Sequence, residues 1–102
     1  MTRTIAFGHM APALAFAARL AESHPALPAP SVTCTGIFAE RLSLALDAPG
    51  EVEAWREVLH VPVEEVDVTP LADGLARIGF DVLVGGFEID VYAHFELAGG
   101  AA

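Results

Sequence analysis

The sequence predicts a single α+β domain over residues 1–102, built as a two-layer sandwich. We expect a mostly antiparallel sheet of about five strands with two helices on one face, in the order α-β-β-α-β-β-β. Three observations predict this fold. Residues 76–97 alternate apolar and polar side chains on both sides of a Gly-Gly pair. Two other segments carry apolar side chains at helical spacing. Shorter runs of alternating side chains follow each of these two helical segments.

The clearest of these patterns is a β-hairpin over residues 76–97. Gly85 and Gly86 suit a two-residue turn, because both positions of such a turn need a positive φ, which glycine adopts without strain. With this turn, every pair on one face is apolar: Val84 with Phe87, Val82 with Ile89, Phe80 with Val91, and Ile78 with Ala93. A slip of one residue would expose that face, so the pattern also predicts the register.

The first helix is predicted from about Met10 to Ser23. Pro12 is tolerated in a first helical turn, and Pro25 ends the helix. One face of this helix is apolar, with Ala13, Phe16, Ala17 and Leu20. We expect this face to pack on the sheet.

Two alternating runs after a proline-rich connector predict the first strands. They cover Ser31–Phe38 and Arg41–Leu46, and the second run places Leu42, Leu44 and Leu46 on one face. The sequence leaves open whether the two runs form a hairpin or one long bulged strand.

The second helix is predicted from Asp47 to about His60. Asp47 can accept hydrogen bonds from the free N–H groups of the first turn, and Trp55 offers the largest apolar area for packing. A short strand at Val63–Val68 should follow, and the Asp73-Gly74 pair should turn the chain into the hairpin.

Charge divides the chain into two unequal parts. The formal net charge is -9, and from Asp47 onward twelve carboxylates stand against two arginines. Phosphate contacts need a basic surface, so this half is not expected to bind nucleic acid directly. A basic protein partner fits the charge better.

The single cysteine bears on the cellular compartment. Cys34 can form no intramolecular disulfide, which favours a reducing environment. Residues 1–18 loosely imitate a secretory signal, but polar and helix-breaking residues interrupt the apolar stretch, which is also too short to span a bilayer. We expect a cytoplasmic protein that does not enter a membrane.

The polar face of the hairpin is the candidate binding site. The candidate residues are Asp81 on the first strand of the hairpin and five residues on the second strand, namely Glu88, Asp90, Tyr92, His94 and Glu96. The register sets Asp81 opposite Asp90, and like charges in that position are destabilising. Water, an arginine such as Arg41 or Arg56, a bound cation or a basic partner must offset this repulsion.

Motifs for catalysis or cofactors are not found. The four histidines follow no metal-binding spacing, no serine or cysteine has the setting of a nucleophile, and the glycine pair joins two strands instead of leading into a helix. We therefore expect no catalytic residues, no metal ligands and no cofactor.

Two hypotheses about function follow. The favoured one is a non-enzymatic interaction protein that uses the polar hairpin face to form a homodimer or to bind a basic partner. The alternative is a small enzyme or ligand-binding domain in which His94 and Asp90 act as an acid-base pair.

One resemblance concerns residues 42–97. In this segment a strand leads into a helix with Asp47, Glu51 and Trp55 at intervals of four, and a terminal hairpin follows. This arrangement resembles small uncharacterised proteins encoded in actinobacterial genomes of high G+C content and in their mobile elements. The absence of lysine, asparagine and glutamine fits such a genome. The resemblance implies no activity and no functional residues.

Overall fold

A computed structural model describes residues 4–97 of the chain. Its two α-helices are α1 (Ala11–Ser23) and α2 (Pro49–Val58). Its strands are β1 (Ser31–Thr33), β2 (Arg41–Leu46), β3 (Asp67–Pro70), β4 (Leu75–Val84) and β5 (Phe87–Glu96). Short 3-10 turns lie at Phe7–Met10, Val63–Glu65 and Ala72–Gly74. The α+β class and the order of the main elements are as the sequence predicts.

The strands form one five-stranded sheet in the order β1-β2-β5-β4-β3. Neighbours pair antiparallel except β2 and β5, which run parallel. The parallel pair exists because α2, β3 and β4 intervene between these two strands, so that β5 returns beside β2 in the same direction. The prediction of a mostly antiparallel sheet is confirmed.

The central hairpin has the predicted register. Val84 pairs with Phe87 and every pair beyond it follows, so Asp81 stands opposite Asp90. Gly85 and Gly86 have φ of 57° and 87°, the positive values that the tight turn requires. The apolar alternation and the turn chemistry therefore specify the same structure.

The core lies between the sheet and the two helices. Fully or nearly buried members of its central cluster come from α1, α2 and the middle strands: Ala13, Phe16, Leu42, Leu44, Leu46, Val52, Trp55, Phe80, Ile89, Val91 and Ala93. Phe16 also stacks on Phe87, with ring centroids 4.6 Å apart. Phe95, which the alternation places on this face, is only half-buried and lies outside the cluster. Within residues 4–97, no helix is long and apolar enough to cross a membrane.

Strand β1 is shorter than the predicted run Ser31–Phe38. It pairs antiparallel with β2 over three residues, and a loop joins the two strands. The loop bonds to itself, since the Phe38 amide donates to Oγ1 of Thr35 at 3.2 Å. Gly36 lies so close to Ile5 that a Cβ at this glycine would stand 2.6 Å from Cγ2 of Ile5. This local bonding ends the strand and leaves a short hairpin, which answers the question that the sequence left open.

Strand β3 lies later than the predicted Val63–Val68. A 3-10 turn holds Val63–Glu65, because the Glu65 and Val66 amides bond to the carbonyls of Pro62 and Val63. The strand then runs from Asp67 to Pro70 at the edge of the sheet, where a proline withholds no needed donor.

The start of α2 differs from the prediction in its hydrogen bonds. Ala48 occupies the N-cap position, and no side chain caps it. Instead of accepting a bond through its side chain, Asp47 donates its backbone N–H to Oε1 of Glu51 at 2.9 Å. Glu51, in the first turn, therefore bonds back to the residue before the N-cap, and no side chain accepts from the N–H groups as Asp47 was expected to do. The helix ends at Val58, slightly before the predicted His60, whose φ of 58° has left the helical range.

Candidate functional site on the outer sheet face

The outer face of the sheet is the side opposite α1 and α2. The alternation of β4 and β5 sends all six predicted site residues to it, namely Asp81, Glu88, Asp90, Tyr92, His94 and Glu96. Four of the six are exposed, and Asp90 and Tyr92 are half-buried. The same pairing brings Arg41, Asp67, Arg77, Gly79 and Leu83 onto this face. Both helices contact the sheet from the core side, so the outer face stays open to solvent.

Arg77 neutralises part of the acidic pair at the centre of this face. Its Nη2 lies 2.6 Å from Oδ1 of Asp90, and both side chains are less than one third exposed. Of the alternatives that the sequence left open, an arginine is therefore present, but it is Arg77 and not Arg41 or Arg56. Arg77 reaches Asp90 along its own face of the sheet because Gly79, the residue between Arg77 and Asp81 on that face, has no side chain in the way.

Tyr92 fills the space above Gly79. A Cβ at Gly79 would stand 2.5 Å from the Val91 carbonyl oxygen and 2.8 Å from Cβ of Tyr92. The guanidinium carbon of Arg77 lies 4.6 Å from the centre of the Tyr92 ring, and the His94 ring lies 5.6 Å from it. An aromatic ring attracts a cation at this distance. Tyr92 therefore positions Arg77 for its bond to Asp90.

Asp81 is the member of the pair that keeps an unfavourable environment. Partial desolvation on the sheet raises the pKa of its carboxyl above the ordinary value of 3.8, and the facing Asp90 and nearby Glu88 raise it further. Arg77 lowers this pKa, but not enough to reverse the shift. The ionised form of Asp81 is therefore disfavoured in the folded protein, and a cation placed beside it would relieve that cost.

The two other arginines proposed for the pair have different partners. Nη2 of Arg41 lies 2.9 Å from Oε1 of Glu88, which is its neighbour in the parallel register of β2 and β5. Arg56 lies in α2, where it bonds to Glu53 and donates to the Val61 carbonyl at 2.7 Å. Arg41 thus belongs to the outer face, while Arg56 stabilises the end of α2 in the other layer.

An exposed apolar end adjoins the outer face. We define it by Ile37, Phe38 and Leu83, whose exposed fractions are 71%, 58% and 72%. The three side chains line one groove of about 530 Å³, together with Glu40, Arg41, Glu88 and two small residues. Sequence reasoning missed this feature because it placed Ile37 and Phe38 in a strand. The outward position of Leu83 in the hairpin was the available signal.

His94 and Asp90 are not joined as an acid-base pair. They lie on one strand with Tyr92 between them on the same face, and Asp90 accepts its bond from Arg77. The four main pockets of residues 4–97 lie elsewhere, and none is lined by either residue. In the same part of the chain, no group of three or more side chains is arranged as metal ligands.

Comparisons with protein-family models, with curated proteins and with solved structures give no match for this chain. The resemblance to small actinobacterial proteins therefore stays a prediction, and function is argued from the site alone.

Proposed function

We propose that this protein is a non-enzymatic interaction module that binds a basic protein segment on its outer sheet face. The observation that carries the proposal is the unequal charge of that open face. Five carboxylates lie on it, Asp67, Asp81, Glu88, Asp90 and Glu96, against the two guanidinium groups of Arg41 and Arg77. Such an excess attracts a cationic partner and orients it before contact.

The ion pairs on the face leave specific positions for that partner. Arg41 is paired with Glu88 and Arg77 with Asp90. Within residues 4–97, the other three carboxylates of the face, Asp67, Asp81 and Glu96, have no such arginine. Asp81 is the strongest candidate for contact, because its pKa is raised by partial desolvation and by neighbouring carboxylates. A lysine or arginine of the partner beside Asp81 supplies the missing countercharge.

Self-association is a second candidate use, and a different surface favours it. Two copies joined through their acidic faces would bring like charges together, which opposes association. The apolar end formed by Ile37, Phe38 and Leu83 has no such obstacle, and exposed apolar patches on soluble proteins mark contact sites. We therefore place a homodimer contact there and the basic partner on the acidic face.

The enzymatic alternative receives less support from the geometry. General acid-base catalysis needs both groups within reach of a bound substrate. His94 is exposed, and the bond from Arg77 to Asp90 occupies the proposed partner. Direct nucleic-acid binding is disfavoured by the same acidic charge, and we keep the cytoplasm as the proposed location because of the single cysteine.

The test is binding of a short oligo-arginine peptide by the full chain, measured by isothermal calorimetry at low and high salt. Asp81→Asn should weaken binding by roughly two- to fivefold, the scale of one exposed charge contact. Added salt should weaken binding to the parent protein more than to the variant.

Glu57→Gln is the matched control, since Glu57 is an exposed carboxylate of α2 in the opposite layer. It makes the same change in net charge away from the outer face, and binding should stay close to that of the parent. An equal loss of affinity in the two variants would mean that peptide binding depends only on the net charge of the protein, and the proposal would be rejected.

A further inference from the structure

A separate apolar pocket lies on the helix side of the sheet. It opens beneath the proline-rich connector of residues 24–30, between α1 and the edge strand β1, and has a volume of about 180 Å³. Its main walls are Leu20, Leu27, Val32, Leu44 and Trp55, with His24 as the titratable residue in its lining. An enclosed apolar cavity of about 150 Å³ takes up benzene, so this half-open pocket has room for one ring of that size.

The connector over the pocket is held in place by bonds within the chain. Three prolines in the connector restrict its backbone and keep it from collapsing onto the helix. The Trp55 indole donates from Nε1 to the Pro28 carbonyl at 2.9 Å, and the Leu27 amide bonds to the His24 carbonyl at 3.2 Å. These two bonds hold the connector above the ring. Because the indole N–H already has its acceptor, Trp55 offers the pocket only apolar surface.

Access to the pocket is provided at the edge of the sheet. Val32 belongs to the short edge strand β1 and is 47% exposed, although its pairing with Leu44 places it on the core face. Leu44 and Trp55, deeper in the pocket, are 1% and 5% exposed. A molecule entering beside Val32 would therefore meet the partly exposed walls Leu20 and Leu27, with Trp55 and Leu44 as the floor.

We infer that this pocket binds a small uncharged molecule with one apolar ring about the size of benzene and a single polar group. The ring would lie among Leu20, Leu27 and Val32 above the Trp55 floor, and the polar group would face the His24 imidazole. Within residues 4–97, no hydrogen bond involves that imidazole, so it is free to donate or accept. A charged group would lose its hydration among these walls without gaining a countercharge.

This site is independent of the acidic outer face, because the sheet separates the two surfaces. Trp55 is the only tryptophan of the chain, so its indole N–H gives one NMR signal that reports directly on the pocket wall. The experiment is a titration of the full chain with benzyl alcohol. We expect a saturable shift of this signal with a Kd on the order of 1 mM, the range for a ligand of so few atoms.

Two variants of α1 separate binding in the pocket from general effects. Ala21→Leu extends a pocket-lining side chain into the space and should weaken binding at least about tenfold. Ala18→Leu makes the same change at an exposed position outside the pocket and should bind like the parent. His24→Leu should keep the response to toluene and lose the preference for benzyl alcohol over toluene.

Three outcomes would overturn the inference. One is a linear, non-saturating shift of the Trp55 signal in the parent protein. Another is equal binding by the Ala21→Leu and Ala18→Leu variants, each checked for native folding by its remaining amide spectrum. The third is a Trp55 signal that moves when the free protein is diluted, since this would place a second copy of the chain in the pocket.

Discussion

Arg77 changes the electrostatic environment of the aspartate pair that the sequence pattern predicts. The hairpin register brings two aspartates face to face, which by itself is unfavourable. Arg77 binds Asp90 and lies against Tyr92, and Gly79 leaves the room that this arrangement needs. The pair is thereby divided into a satisfied carboxylate at Asp90 and an unsatisfied one at Asp81.

Neutralising Asp81 should therefore stabilise the free protein. Asp81→Asn keeps the shape and removes the repelling charge, so we expect the free energy of unfolding at neutral pH to rise by a few tenths of a kcal/mol; solvent exposure limits the gain. Urea denaturation measures it. Arg77→Met should instead lose about 1 to 2 kcal/mol, because both carboxylates then face each other without a cation. A loss of stability in Asp81→Asn would mean that Arg77 already satisfies both aspartates.

The stability difference between Asp81→Asn and the parent should depend on pH. The pKa of Asp81 is raised above 3.8 in the folded chain, so the folded state holds this proton more tightly than the unfolded state does. The stability that the protonated Asp81 adds is fully present below the ordinary pKa of an aspartate. It is lost as the pH rises through the pKa of Asp81 in the folded protein. The advantage of the variant should then vanish in acid and reach its full size at neutral pH. Denaturation curves across this range check the prediction, and a constant difference would contradict it.

At the scale of elements, the β4–β5 hairpin carries both the core face and the outer face. Its turn needs positive φ at Gly85 and Gly86, and its middle needs the close approach of backbone and Tyr92 at Gly79. These two requirements have different causes. The turn requires glycine because of the backbone conformation there. Position 79 requires glycine because the outer face has no room for a Cβ.

Gly79→Ala should destabilise the hairpin. The added methyl group would lie within 3 Å of both the Val91 carbonyl oxygen and Cβ of Tyr92, so the strands must shift, at a cost of roughly 1 to 3 kcal/mol. Gly50→Ala in α2 is the control, because a Cβ there meets nothing within 4 Å and alanine favours a helix. Thermal unfolding of both variants tests the pair. Equal melting temperatures would mean that the space above Gly79 adapts without cost.

At the scale of the whole molecule, the core joins both helices to the middle of the sheet. Phe80 and Trp55 are nearly buried in the central cluster, and Phe95 is outside it. Phe80→Ala or Trp55→Ala should each lower the free energy of unfolding by roughly 3 to 5 kcal/mol. Phe95→Ala should cost no more than about 2 kcal/mol, because less apolar area is lost from burial. Urea denaturation ranks the three, and an equal or larger loss for Phe95→Ala would contradict this description of the core.

Assembly is also a property of the whole molecule. If the apolar end mediates self-association, light scattering at micromolar concentration should give the mass of a dimer, and Phe38→Ser should give the mass of a monomer. Leu14→Ser is the control, since Leu14 is 42% exposed on α1 and lies outside the apolar end. A parent protein that is monomeric at every concentration would remove the homodimer from the proposal.

The sequence by itself determined the features that depend on neighbouring residues. Periodicity and turn chemistry are local, and three features follow from them: the hairpin register, the apolar stripes of both helices, and the placement of all six site residues on one face. The predicted bounds of β1 and β3 were wrong. At both edges of the sheet, hydrogen bonds between residues close in sequence, around Thr35 and Val63, compete with strand pairing.

Tertiary structure alone decided which distant side chains meet. Pairing β2 parallel to β5 brings Arg41 to Glu88, and the placement of α2 in the other layer keeps Arg56 away from Asp90. The apolar end needs the β1–β2 loop beside Leu83, and the Trp55 pocket needs the connector held over α2. These contacts join residues far apart in sequence, where periodicity carries no information, because three-dimensional packing and not local preference sets their distances.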